Sequence, residues 1–261
     1  MAKLMGVVNV TPDSFSDGGL YLDPEAAIAH GRELAAAGAE ILDVGGESTR
    51  PGAEPVGAEE ELRRVIPVIQ GLVAAGCHVS VDTSKATVAA AALDAGAEIV
   101  NDVTALRGDP EMASLCAGRG ATVVLMHMLG SPQTMQSDPR YEDVVADVKA
   151  FLAERLASAV AAGIAEERIW LDPGIGFGKT GAHNMELLRR LGELRELGRP
   201  LVVGTSRKSF IGRVDGSPAQ ERLGGTIASS VLAAAEGADV LRVHDIAEMR
   251  QALAVAAAIL G

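Results

Sequence analysis

Asn9, Asp43, Asp82, Asn101, His127 and Asp172 each end a short apolar run, Arg242 and His244 end another, and Lys208 follows an eighth. If those runs share one mouth, the amides and the Asp82 and Asp172 carboxylates offer donors and acceptors to a heteroaromatic, amide-like ring. Lys208, Arg242 and His244 add positive character for an anion. Any one Asp or Asn of this kind is equally a helix cap or turn former, but recurrence at run after run weakens that reading. Asn9 beside phosphate oxygens would suit Mg²⁺, a hard ion that takes few protein ligands and keeps several waters.

Other motifs are less informative than they look. Pro173-Gly174-Ile175-Gly176-Phe177-Gly178-Lys179-Thr180 contains Gly-Lys-Thr after an apolar run, but Pro173 stands where a phosphate-cradling loop needs Gly and a backbone N–H. The Gly176–Gly181 match to Gly-x-Gly-x-x-Gly starts four residues after Asp172 and not at a first strand–helix turn. A βα loop presenting Phe177 and Lys179 fits better. His127, His183 and His244 sit on different units without zinc-site spacing. Met126 and Met128 read as core or pocket wall, Trp170 as core, and Glu59-Glu60-Glu61 as an exposed acidic first turn complementing a helix dipole.

The elements that must position these groups follow from repetition. Ala36-Ala37-Gly38, Ala74-Ala75-Gly76, Asp94-Ala95-Gly96, Arg119-Gly120, Leu197-Gly198 and Glu236-Gly237 each precede a β-rich run. Glycine suits the left-handed position just past a helix end, so each reads as a helix stop. With Met5–Asn9 and Arg168–Asp172 there are eight runs, each followed by a helix-compatible stretch of chain. Runs without strict alternation suit strands covered on both faces. Eight units in 261 residues predict an α/β chain folded as a (β/α)8 TIM barrel, one domain over 1–261. The Pro/Gly-rich loops then share the C-terminal face, where this fold builds active sites.

Composition narrows the partners. Lys and Arg total 23 against 35 Asp and Glu, a net charge of −12, which disfavours nucleic acid and anionic membrane. Apolar residues make up 48% and aromatics 3%, so the interior is built from Ala, Val, Leu and Ile. The opening apolar stretch is too short for a signal peptide, and no run reaches the ~20 apolar residues of a membrane span. Cys77 and Cys116 lie far apart and fit a reducing cytoplasm.

Seven stretches stand in order along the chain: Gly6–Gly19 (with Asn9-Val10-Thr11-Pro12-Asp13-Ser14-Phe15-Ser16-Asp17), Gly46-Glu47-Ser48-Thr49-Arg50-Pro51-Gly52, Val81-Asp82-Thr83, Asn101-Asp102-Val103, Leu171–Phe177, Ser206-Arg207-Lys208-Ser209-Phe210 and Arg242-Val243-His244-Asp245. Together they resemble the dihydropteroate synthases, the folate-pathway family targeted by sulfonamides. The resemblance implies that 6-hydroxymethyl-7,8-dihydropterin diphosphate is joined to p-aminobenzoate, giving 7,8-dihydropteroate and pyrophosphate. It implies that Asp82, Asn101, Asp172, Lys208 and Met126 hold the pterin. Asn9, Thr49, Arg242 and His244 would hold the diphosphate, with Asn9 also on Mg²⁺. Phe15, Thr49, Arg50, Pro51, Phe177, Lys208 and Ser209 would shape the p-aminobenzoate pocket. Asp17, Lys208, Arg242 and His244 would carry catalysis, Asp17 by stabilising a pterin cation. Sulfonamides are expected as competitive inhibitors and a homodimer as the assembly, with small-residue stretches 227–235 and 252–260 as a candidate seam. A corrinoid-dependent methyltransferase of similar barrel lacks need of the Ser-Thr-Arg-Pro-Gly and Arg-x-His features, and a silent pterin-binding paralogue would not retain this full set.

Overall fold

The computed structural model describes residues 1–11, 23–49 and 52–260. Among them, eight strands alternate with helices: β1 (Lys3–Asn9), α1 (Pro24–Ala37), β2 (Ile41–Gly45), α2 (Ala58–Ala74), β3 (Val79–Asp82), α3 (Ala86–Asp94), β4 (Ile99–Asp102) and α4 (Met112–Arg119). The chain continues through β5 (Thr122–Met126), α5 (Val144–Ala161), β6 (Ile169–Asp172), α6 (Gly181–Arg189), β7 (Val202–Val203), α7 (Ser209–Asp215), α8 (Leu223–Ala235), β8 (Val240–Val243) and α9 (Ile246–Leu260). All pairings are parallel in the order β6-β5-β4-β3-β2-β1-β8-β7. A bridge between Leu171 and Leu201 joins the two ends. The result is the expected (β/α)8 barrel. Its one departure is α7, an extra short helix between β7 and the covering helix α8.

Local chemistry sets the boundaries. Asp23 caps α1 by accepting from the Glu25 N–H at 3.1 Å, with Pro24 at the first helical position. Asp143 caps α5 through Val145 and Ala146, and Thr180 with His183 forms a reciprocal capping box on α6. The six glycines expected as stops all have positive φ, from 61° at Gly120 to 114° at Gly38, where a Cβ would be strained.

Side-chain alternation along each strand divides the interior in two. Leu42, Val44, Val79, Val81, Val123, Leu125, Ile169 and Leu171 face outward into the main core beneath the helices. Met5, Ile41, Ile99, Val124, Val202 and Val240, with Trp170 packed against them, plug the barrel. The plug leaves the next inward layer toward the C-terminal ends for polar side chains. Among the described residues no helix is long and apolar enough to cross a membrane.

Candidate active site

That next layer is where the expected residues meet. The register pairs Asn9 with Gly45, Gly45 with Asp82, and Asp82 with Asn101, while Met126 pairs with Asp172. Inward-pointing ends of β1, β3, β4, β5 and β6 thereby stand around one cavity of about 460 Å³. Asp82, Asn101, Met126 and Asp172 are all buried in its wall. Arg242 of β8 crosses the barrel, donating from Nε to Asp43 Oδ2 at 2.6 Å and from Nη2 to Asp82 Oδ2 at 2.8 Å. Asn101 donates to the same Asp43 oxygen at 3.0 Å, which orients its amide.

The electrostatics follow from crowding carboxylates and cations out of water. Burial raises Asp82 to about 7, outweighing the neighbouring Arg242, and the Asp43 charge adds to the rise. Burial likewise raises Asp172, against the pull of Lys208; its Oδ1 accepts from the Gly174 N–H at 2.7 Å. Burial lowers Lys208 to about 8, partly restored by Asp172 and lowered further by Arg242. Arg242 stays above its ordinary range because Asp43 and Asp82 more than offset its burial.

The rim comes from loops. Lys208 donates to the Ile175 carbonyl and lies 4.3 Å from the centre of the Phe177 ring, a cation–π contact. His244 Nδ1 is hydrogen-bonded to Ser206 Oγ at 2.9 Å. Asn9, Thr49 and Ser209 also line the cavity. The Phe177 segment can run so close to β5 only through glycine. Gly174 has φ of 67°, and a Cβ there would sit 1.9 Å from the His127 carbonyl oxygen.

Four expectations are corrected. His127 does not reach the mouth: it lies one residue past the inward Met126 and so points outward, buried edge-on against Phe151 with ring centres 4.8 Å apart. Asp43 lies beneath the cavity as Arg242's partner. Lys179 is not presented to solvent but is 1% exposed. The acidic first turn of α2 stands with Glu59 exposed, but Glu61 is fully buried, paired with Lys85 Nζ at 2.6 Å. Phe15, Asp17, Arg50 and Pro51 lie outside the described residues. The structure adds Glu47, Ser48, Ser206, Arg207, Arg222, Val103 and Met135 to the cavity lining. Glu47, Ser48, Ser206, Arg207 and Val103 fall inside the motif stretches quoted above, so their positions carried a signal. Met135 and Arg222 carried none.

A wider hollow of about 900 Å³ opens at the opposite end, among strand entrances and Trp170. On its rim His78 meets the exposed Glu98 at 2.8 Å, at the surface and not over buried space. Active sites of this fold lie at the C-terminal face. Among the described residues no three His, Cys, Asp or Glu side chains form a metal cluster. The Asn9 amide oxygen in the cavity wall is instead a single hard donor, which fits a Mg²⁺ ligated otherwise by phosphate and water.

Comparisons with known proteins agree with this geometry. A model of the pterin binding enzyme family matches residues 5–244. The dihydropteroate synthase of Escherichia coli K12 is 48% identical over 258 residues, covering 98% of this chain and 91% of its own. The Yersinia pestis dihydropteroate synthase, solved with a sulfonamide drug complex, superposes with a TM-score of 0.96 at 45% identity, covering 99% of this chain and 94% of that one. The Xanthomonas albilineans dihydropteroate synthase in complex with 7,8-dihydropteroate gives 0.89 at 48% identity, covering 100% and 94%. With the family model and a near-full-length relative both matched, the chain belongs to the pterin binding enzyme family, among the dihydropteroate synthases.

Proposed function

We infer that the chain is a transferase that condenses 6-hydroxymethyl-7,8-dihydropterin diphosphate with p-aminobenzoate, releasing pyrophosphate and forming 7,8-dihydropteroate in folate biosynthesis. The observation that carries the reading is the cavity wall itself, with buried Asp82, Asn101 and Asp172 beside Lys208 and Arg242. The two carboxylates accept from the amino and ring N–H edge of the pterin. Asn101, held by Asp43, supplies an amide edge, and Met126 covers a face. Arg242 has Nε and Nη2 committed to carboxylates, which leaves Nη1 for the diphosphate, alongside His244 and Thr49.

The pterin methylene C–O bond breaks and its electron pair leaves with pyrophosphate. The p-aminobenzoate nitrogen then attacks the delocalised pterin cation, forming the C–N bond and losing a proton. Fixed positive charge at the departing oxygens is the main contribution open to this site. Mg²⁺ held through Asn9 would supply further charge neutralisation at the diphosphate. Asp17 of the first motif is assigned the cation. Thr49, Phe177, Lys208 and Ser209 line the p-aminobenzoate side, where sulfonamides would compete; Phe15, Arg50 and Pro51 are assigned to the same substrate by their motifs. The acting unit is the single barrel of 1–261, as a homodimer, with α8 and α9 offering exposed Leu232, Val255 and Ile259.

The test is to mix the protein with Mg²⁺, the dihydropterin diphosphate and p-aminobenzoate and to follow dihydropteroate by mass. Mg²⁺-dependent product is expected, with kcat/KM lowered about 100-fold or more in Lys208→Ala, the loss typical of removing one fixed transition-state charge. Wild-type protein that binds pterin yet makes no product would contradict the reading.

A further inference from the structure

We propose that Lys179 is a positioning residue for the aminobenzoate half of the cavity, its buried Nζ serving as an internal hydrogen-bond donor that fixes the 174–178 backbone and, through it, the Phe177 ring. The proposal rests on the condensation assigned above. Five consecutive carbonyls of this segment accept from side chains, an unusual state for a loop, whose carbonyls ordinarily face water. Lys179 Nζ donates to Gly174 O and Phe177 O, each at 3.0 Å. Lys208 donates to Ile175 O, Gln136 Nε2 to Gly176 O at 2.7 Å, and the Tyr141 hydroxyl to Gly178 O at 2.7 Å. Lys179 is the one donor that holds two of the five, and one of those belongs to Phe177 itself.

The third partner of Lys179 is His127 Nδ1, at 2.8 Å. A longer contact runs to the His127 carbonyl at 3.4 Å, so three carbonyl oxygens and one imidazole nitrogen ring the head group. Burial and the adjacent lysine push the His127 pKa down to about 3, and burial also pulls Lys179 well below the ordinary lysine range, against the pull of Asp172; what the geometry fixes is the position of the head group among its partners. The Lys179 side chain does not line the cavity. It acts on substrate only through Phe177, which packs on Val103, Met126, Met128 and Met135 and meets Lys208 at 4.3 Å. The sequence feature that resembled a phosphate loop thus has a different use: its lysine binds the loop's own carbonyls.

The test is a double-mutant cycle read in steady-state kinetics. Lys179→Met should raise KM for p-aminobenzoate about tenfold, while Kd for the dihydropterin diphosphate changes by less than about threefold. Phe177→Ala should raise the same KM, and the double variant should be no worse than about the larger single effect, because both act through one ring. Multiplying effects would overturn the proposal, as would a Lys179→Met protein with a lowered Tm and an unchanged KM. Should that variant fail to fold, Lys179→Arg keeps a long polar side chain, but its planar fork cannot converge on these partners from one nitrogen. The same KM rise is expected of it, and an unchanged KM overturns the role. Wild-type turnover separates the two readings: no dihydropteroate from wild type removes the assigned reaction, whereas an active wild type with unaltered variant KM removes only Lys179.

Discussion

Asp43, Asp82 and Asp172 share Arg242 and Lys208 inside the barrel mouth, so protons there are held against competing demands. Asp82, raised to about 7, must be ionised to accept from pterin N–H groups. Lys208, lowered to about 8, must be protonated to present charge. Activity therefore requires a pH above the first value and below the second. The expected kcat/KM for the dihydropterin diphosphate is a bell whose limbs fall on either side of about pH 7.5, and Asp82→Asn should displace the acid limb. A flat profile between about pH 6 and about pH 9 would contradict these assignments. The inward residues were legible because they end apolar runs at inward-facing positions. His127 was not, because a shift of one residue turns a side chain to the opposite face. Lys179 was not, because its partners lie in β5 and along its own loop, and only the fold brings them together.

Elements are tied to one another near the mouth by a second charged cluster. Lys85, at the start of α3, bonds to Glu61 in the first turn of α2 and to Glu47 in the cavity lining. Glu61 is fully buried and Lys85 about a quarter exposed, so removing the lysine leaves a carboxylate with no compensating charge. Lys85→Met should cost about 3 kcal/mol in urea unfolding, and adding Glu61→Gln should recover part of that loss. A change below about 0.5 kcal/mol would place the pair among weak surface contacts. Helix boundaries were readable because caps and left-handed glycines act within a few residues. The burial of Glu61 depends on a lysine 24 positions away, which no local pattern carries.

For the whole molecule, repetition did most of the work: eight copies of one small pattern admit few architectures other than a closed barrel. The extra helix α7 was not legible, since it adds a turn inside one unit without adding a unit. Nor does repetition say what covers Leu232, Val255 and Ile259, which are 63%, 55% and 77% exposed on two packed helices. If they form the dimer seam, Leu232→Arg with Val255→Arg should move the protein to monomer mass in sedimentation without unfolding it; a retained dimer would place the seam elsewhere. The claim on which the rest depends is that buried carboxylates at the barrel mouth hold the pterin. Calorimetric titration of the dihydropterin diphosphate into wild type, Asp82→Asn and Asp172→Asn tests it directly. Each substitution is expected to weaken Kd by at least about tenfold, the worth of a charge-assisted hydrogen bond. Unchanged affinity in both variants would contradict it.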